Sequence, residues 1–199
     1  MTSPSQHTRS VGILAFDEME ILDYAGPYEV FGVADHLDEA SPFDVYAIGV
    51  APGVITARGG FAVVPQTTIA QASPPDILII PGGPGSRPLV RDREVISWIR
   101  SSAERSELVL SVCTGALVLA AAGLLDGLRA TTHHEAFDEL AAISPTTQAV
   151  CDQRFVQSSA QVWTSGGISA GIDLSLRVVH LLTGTSTHDK VVTEMEWGW

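Results

Sequence analysis

Cys113 ends an apolar run, Leu108-Val-Leu-Ser-Val112, and is followed at once by Thr114-Gly115-Ala116 and a stretch of small residues. An apolar run of that length reads as a buried strand, and the Thr-Gly step as a tight turn into a helix, so the thiol is expected at the apex of a nucleophile elbow. A helix N-terminus presents unpaired N–H groups and partial positive charge, which lower a thiol pKa and stabilise a developing anion. Free cysteines are also common as plain core residues. Here the strand–Cys–Thr–Gly–helix order joins a nucleophile to an activating terminus, which favours chemistry over burial alone.

Asp23 is the acidic residue placed to reach that thiol, because it lies where a first strand has ended and a first helix begins. The same position suits an ordinary N-terminal cap, and Glu18 and Glu20 compete from the same loop. The backbone N–H of Gly82 or Gly83, with that of Thr114, could form an anion hole beside the sulfur; these glycines also fit a simple tight turn. His133 and His134 are further candidate bases, but nothing in their spacing ties either to Cys113. Trp163, Trp197 and Trp199 read as packing residues, since no basic residues interleave with them.

The elements that must position these groups follow from hydrophobic periodicity. Residues 11–16, 43–48, 76–80 and 108–112 read as buried strands. Gly59-Gly60 between 54–57 and 61–64 predicts a hairpin excursion. Helices are expected over 24–34, 95–105, 114–125, 135–143 and 172–182, with a further one over 188–197. Residues 129–133 read as a short strand or loop, and 154–157 and 162–164 as strands. Strands alternating with helices predict a mainly parallel sheet covered on both faces. In such sheets ligands bind beyond the carboxyl ends of the strands. The loops at 20–27, 81–85, 113–114 and 166–171 should therefore converge on one pocket.

With 45% hydrophobic and 17% charged residues, the 199-residue chain supports one substantial core. The reading is a mobile N-terminal segment over 1–10 and a single domain over 11–199. Two cysteines, Cys113 and Cys151, far apart and in no ligand pattern, argue against a disulfide scaffold and a metal site. Neither a leader nor a membrane span is evident, which predicts a cytoplasmic protein. A net charge of −12 makes nucleic acid a poor partner.

The segment beginning Cys113-Thr-Gly-Ala-Leu-Val-Leu and running to Ala130-Thr-Thr-His133 resembles the ThiJ/PfpI superfamily. Ile21-Leu-Asp-Tyr-Ala-Gly-Pro27, Ile80-Pro-Gly-Gly-Pro-Gly85 and Thr164-Ser-Gly-Gly-Ile-Ser-Ala-Gly-Ile-Asp-Leu174 support it. Within that superfamily the chain is most similar to the isonitrile hydratase branch. The resemblance implies a flavodoxin-like three-layer α/β sandwich, as in class I glutamine amidotransferase-like domains. It implies Cys113 as nucleophile, Asp23 as the acid that contacts it, and Thr114 as the neighbour that orients the site. Protease-like members commonly carry histidine where Thr114 stands, and deglycase-like members glutamate at the first-strand site, so both activities are disfavoured.

The implied reaction adds water to an isonitrile to give an N-substituted formamide, on a small-molecule substrate and without metal or organic cofactor. In the expected chemistry the Cys113 thiolate attacks the terminal carbon while protonated Asp23 donates to that carbon or the nitrogen. Asp23, now ionised, then activates water. A homodimer is also implied, with residues 21–33 at the interface through Tyr24, Tyr28 and Phe31. The alternatives are a redox or small-electrophile sensor and a stand-alone regulatory domain without a DNA-binding segment.

Overall fold

The computed structural model describes residues 8–40 and 42–198. The first apolar run forms β1 (Arg9–Ala15), which leads into α1 (Ile21–Leu37) and then β2 (Phe43–Gly49). The predicted hairpin pairs β3 (Ile55–Thr56) with β4 (Ala62–Val63) in antiparallel register around a 3-10 turn at Arg58–Gly60. Next come β5 (Thr67–Thr68), β6 (Ile77–Ile80), α2 (Ser86–Leu89) and α3 (Arg93–Ala103). They are followed by β7 (Leu108–Val112), α4 (Gly115–Ala121), β8 (Arg129–Ala130), α5 (Phe137–Ile143) and β9 (Gln148–Ala149). The chain continues through β10 (Phe155–Gln157), β11 (Val162–Ser165), α6 (Ala170–Thr183) and α7 (Thr185–Glu194).

Seven strands make one sheet in the order β10-β11-β7-β6-β1-β2-β5, parallel throughout except for β10. The fold is a flavodoxin-like α/β sandwich. β6 and β7 are buried at every position, as expected of central parallel strands covered on both faces. On one side α1, α6 and α7 pack together; elsewhere α4 packs against α2, α3 and α5. Helix α3 shows how local chemistry sets a boundary. Asp92 caps it by accepting the N–H groups of Glu94 and Val95, and Val95, Ile96 and Ile99 turn inward at helical spacing.

Three expectations about segments change. Strand β1 starts at Arg9, so Arg9 and Ser10 belong to the sheet and not to the mobile segment expected over 1–10; residues 1–7 of that segment, like Trp199, lie outside the described residues. Helix α1 starts at Ile21 and not at 24, which puts Asp23 inside its first turn. The aromatic surface expected for a partner is largely consumed within the chain. Phe31 is fully buried, edge-on to Phe43 at 5.0 Å between ring centres, and Tyr24 is buried as well. Trp163 is a core residue as expected, and Trp197 donates its indole N–H to Asp173 at 2.8 Å. Among the described residues, no helix is long and apolar enough to cross a membrane.

Candidate active site

β1, β6, β7 and β11 are neighbours in the sheet, so the loops beyond their carboxyl ends meet at one place. At its centre Cys113 adopts φ +58, a left-handed conformation that a residue with a Cβ rarely takes. Long-range hydrogen bonds hold it there. The Cys113 N–H lies within reach of the Ser165 and Gly166 carbonyls (3.1 and 3.0 Å), and the Thr132 hydroxyl donates to the Cys113 carbonyl at 2.9 Å. Close approach supplies the remaining constraint. A Cβ on Gly82 would sit 2.5 Å from the Thr114 nitrogen and 2.8 Å from the Cys113 Cβ, so only glycine lets the β6 loop lie against the elbow.

Asp23 is fully buried directly beside this turn. It does not cap its helix: position 20 has no side-chain cap at all, and the Asp23 carboxylate instead accepts two amides from distant loops. The Gly82 N–H reaches Oδ2 at 3.1 Å, and the Ile168 N–H reaches Oδ1 at 2.9 Å. Its remaining partner is the Cys113 side chain. Ile168, like Cys113, has a positive φ, +56, which turns its N–H into the site. Of the competing acids, Glu20 pairs with Arg58 at 3.0 Å and Glu18 lines a different cleft, on the far side of Pro84.

Burial dominates the electrostatics. Loss of hydration raises the Asp23 pKa from 3.8 to about 6, although both amides and the thiol pull the other way. The Cys113 thiol is pushed up to about 12, first by burial and then by the nearby Asp23 charge, while the Thr114 backbone and hydroxyl lower it by less. The expected pairing of a Cys113 thiolate with a protonated Asp23 is reversed: at only 5% exposure of Cys113, burial outweighs the helix terminus. At neutral pH the shared proton therefore rests on sulfur, facing a carboxylate.

The expected anion hole also needs correction. The Gly82 N–H is spent on Asp23 and the Gly83 N–H on Thr114 Oγ1 at 2.9 Å, so neither is free beside the sulfur. That leaves the Thr114 N–H. Ser86, which the sequence did not single out, completes a buried triangle by donating to Gly83 O (2.8 Å), with its hydroxyl 2.9 Å from Thr114 Oγ1.

The site opens through a cleft of about 230 Å³ whose lining includes Cys113, Thr114, Arg58, Arg87, His133 and Ile168. His133 thus reaches the cleft, and burial holds its pKa below the usual imidazole range. His134 points outward, its side chain 79% exposed. Together with Glu135, the two histidines place possible ligand atoms within 4.8 Å of one another, the one such grouping among the described residues. The two cysteines are both free, Cys113 buried and Cys151 exposed.

The DJ-1/PfpI family model matches residues 9–181, which takes in the elbow, Asp23 and the Ile168 loop. The chain belongs to the DJ-1/PfpI family. Among its relatives, isonitrile hydratase from Pseudomonas putida is 36% identical over 187 residues, covering 94% of this chain and 78% of that protein. The HTH-type regulator GbdR of Pseudomonas aeruginosa is 25% identical over 88% of this chain, which spans only 47% of the regulator. A ThiJ/PfpI family protein from Pseudomonas syringae superposes with a TM-score of 0.88 at 26% identity, covering 98% of this chain and 78% of that one. Drosophila melanogaster DJ-1beta shares the fold at a TM-score of 0.84 and 19% identity, covering 97% of this chain and all of that one.

Proposed function

We propose that this chain is a cysteine-dependent lyase that adds water to an isonitrile, R–N≡C, to give an N-substituted formamide. The observation that carries the reading is the buried contact between Asp23 and the Cys113 side chain at a strained elbow. This couples a nucleophile to an acid–base group whose pKa, about 6, lies close to neutral pH. Similarity to isonitrile hydratase, 36% identical over 94% of the chain, supports an isonitrile as the substrate class.

The resting protonation sets the order of events. Asp23 takes the thiol proton as sulfur bonds to the terminal isonitrile carbon, then delivers it to that same carbon, giving a thioimidate, R–N=CH–S–Cys113. The ionised Asp23 next draws a proton from water. Hydroxide adds to the carbon and Asp23 passes the proton taken from water to the nitrogen, giving R–NH–CH(OH)–S–Cys113 and leaving Asp23 ionised again. Collapse breaks the C–S bond, releases R–NH–CHO and returns the hydroxyl proton through Asp23 to sulfur. The Thr114 N–H, adjacent to sulfur, stabilises the thiolate formed at each end of the cycle.

A high thiol pKa tells against the sensor reading, since oxidation proceeds through thiolate. The deciding experiment is formamide production by purified protein from a panel of alkyl and aryl isonitriles. Steady multiple turnover supports a hydratase; a single stoichiometric adduct on Cys113 with no product refutes it.

A further inference from the structure

Only eleven residues of this acidic chain are lysine or arginine, yet two of them, Arg58 and Arg87, line the small cleft above Cys113. They arrive on unrelated elements. Arg58 sits in the turn of the β3–β4 hairpin, which is docked onto the loop after β1 by three bonds. The Arg58 N–H reaches Met19 O at 2.9 Å, the Glu18 N–H reaches Thr56 O at 2.9 Å, and the Thr56 N–H reaches Asp17 Oδ1 at 2.8 Å. Arg87 comes from α2 and is held by Glu139 through a two-point contact at 2.9 and 2.6 Å.

Both guanidiniums keep donors in hand. Arg58 gives only Nη1 to Glu20, and Arg87 gives Nε and Nη2 to Glu139, so among the described residues Nε and Nη2 of the first and Nη1 of the second have no acceptor. Acids share the cleft: Glu20 is paired with Arg58, Glu135 lies on the rim with its side chain 77% exposed and acts on Arg87 and His133, and Asp23, buried beside Cys113, is held by two amides. Arg87 interacts electrostatically with Cys113, and both arginines act on His133, which places their fields inside the cleft.

We infer that the cleft selects small substrates bearing a carboxylate, which Arg58 and Arg87 hold while the reactive end reaches Cys113. Planar guanidiniums with spare N–H groups match a carboxylate. A volume of about 230 Å³ suits a compact molecule. The identity of the reacting group rests on the hydratase reading, which makes the substrate class a short isocyano carboxylate.

Two measurements on the full chain separate this inference from that reading. The first compares kcat/KM for isocyanoacetate with that for its methyl ester, which is uncharged. A preference of roughly tenfold or more for the acid is expected, as for a charge-assisted contact. The ratio should fall in Arg58→Gln and Arg87→Gln and approach one in the double variant. The second uses no isonitrile: in Cys151→Ser, the ratio of Cys113 alkylation by iodoacetate to that by iodoacetamide is read by peptide mass. It should exceed the ratio for free cysteine, shrink with added salt, and collapse in the same arginine variants. An alkylation preference with no isonitrile turnover removes the hydratase reading and keeps the carboxylate site. Turnover of acid and ester at equal rates, or a preference that survives loss of both arginines, overturns the site and leaves the hydratase.

Discussion

Asp23→Asn separates charge from shape at the centre of the site, and its consequences can be worked out in advance. The carboxylate is fully buried and its pKa is raised from 3.8 to about 6. Between those values the folded chain binds a proton that the unfolded chain has released, so stability falls as pH rises through this window and is level above about 6. At about 1.4 kcal/mol per pH unit, the full loss is about 3 kcal/mol. Roughly 2 kcal/mol of it is recovered at pH 4.5. Asparagine has no such titration. It also turns an NH₂ toward the N–H of either Gly82 or Ile168, which costs about 1–3 kcal/mol for the unsatisfied buried donor. At pH 7.5 the two effects nearly offset each other, and the variant should fold with near-wild-type stability. Urea denaturation of both proteins at pH 4.5 and 7.5 reads this directly: the wild type should gain about 2 kcal/mol on the variant at the lower pH. An unchanged difference between the two pH values would refute the raised pKa. Formamide production should drop by roughly 100-fold or more, and wild-type rates in the variant would remove Asp23 from the mechanism.

The remaining predictions concern the same few atoms. Cys113→Ala and Cys113→Ser should abolish turnover with circular dichroism unchanged, whereas Cys151→Ser, on an exposed residue, should keep the wild-type rate. The kcat/KM profile should rise through about pH 6 as Asp23 becomes the base and then stay flat to strongly alkaline pH, because the thiol lies near 12; a bell centred near neutrality would contradict this proton inventory. Iodoacetamide should modify exposed Cys151 before buried Cys113 at neutral pH, with peptide mass spectrometry giving the order. Gly82→Ala forces a Cβ to 2.5 Å from the Thr114 nitrogen, so it should cost about 2 kcal/mol or more in thermal or urea unfolding and suppress turnover. Sedimentation at micromolar concentration should return twice the chain mass, and a fully active monomer would dismiss the expected dimer.

Where the governing physics was local, the sequence was readable. A run of five residues before Cys113, apolar but for Ser111, and a Thr-Gly step after it are enough to place a strand, a sharp turn and a helix, and the left-handed Cys113 is the result. The hairpin turn at Gly59-Gly60 was legible for the same reason. Elements of two to four residues, such as β5, α2 and β9, are too short to show a period. What escaped were facts about distance. A carboxylate in a first helical turn looks like a cap, and only the fold brings it amides from 59 and 145 residues away. The thiol pKa was misjudged because a sequence displays the helix that starts behind Cys113 but not the roof that buries it. Gly82 and Gly83 lie against the elbow through close approach, since their N–H groups are already committed. Arg58 and Arg87 left one usable trace: they are scarce cations beside glycine-rich segments.

The two amides that hold Asp23 also govern when the site can exist. Its loop partners are separated from it by 59 and 145 residues, and the second lies beyond β11, just before α6. Contacts of such separation carry a large loop-closure entropy and form late on a folding route. Until Ile168 arrives, one carboxylate oxygen lacks its amide and the acid has no fixed orientation toward Cys113. On the proposed mechanism, reactivity at the thiol should therefore appear only with the last strand of the parallel sheet in place, and on refolding the recovery of turnover should lag the recovery of helical signal. The active site doubles as a completion signal for the chain that builds it.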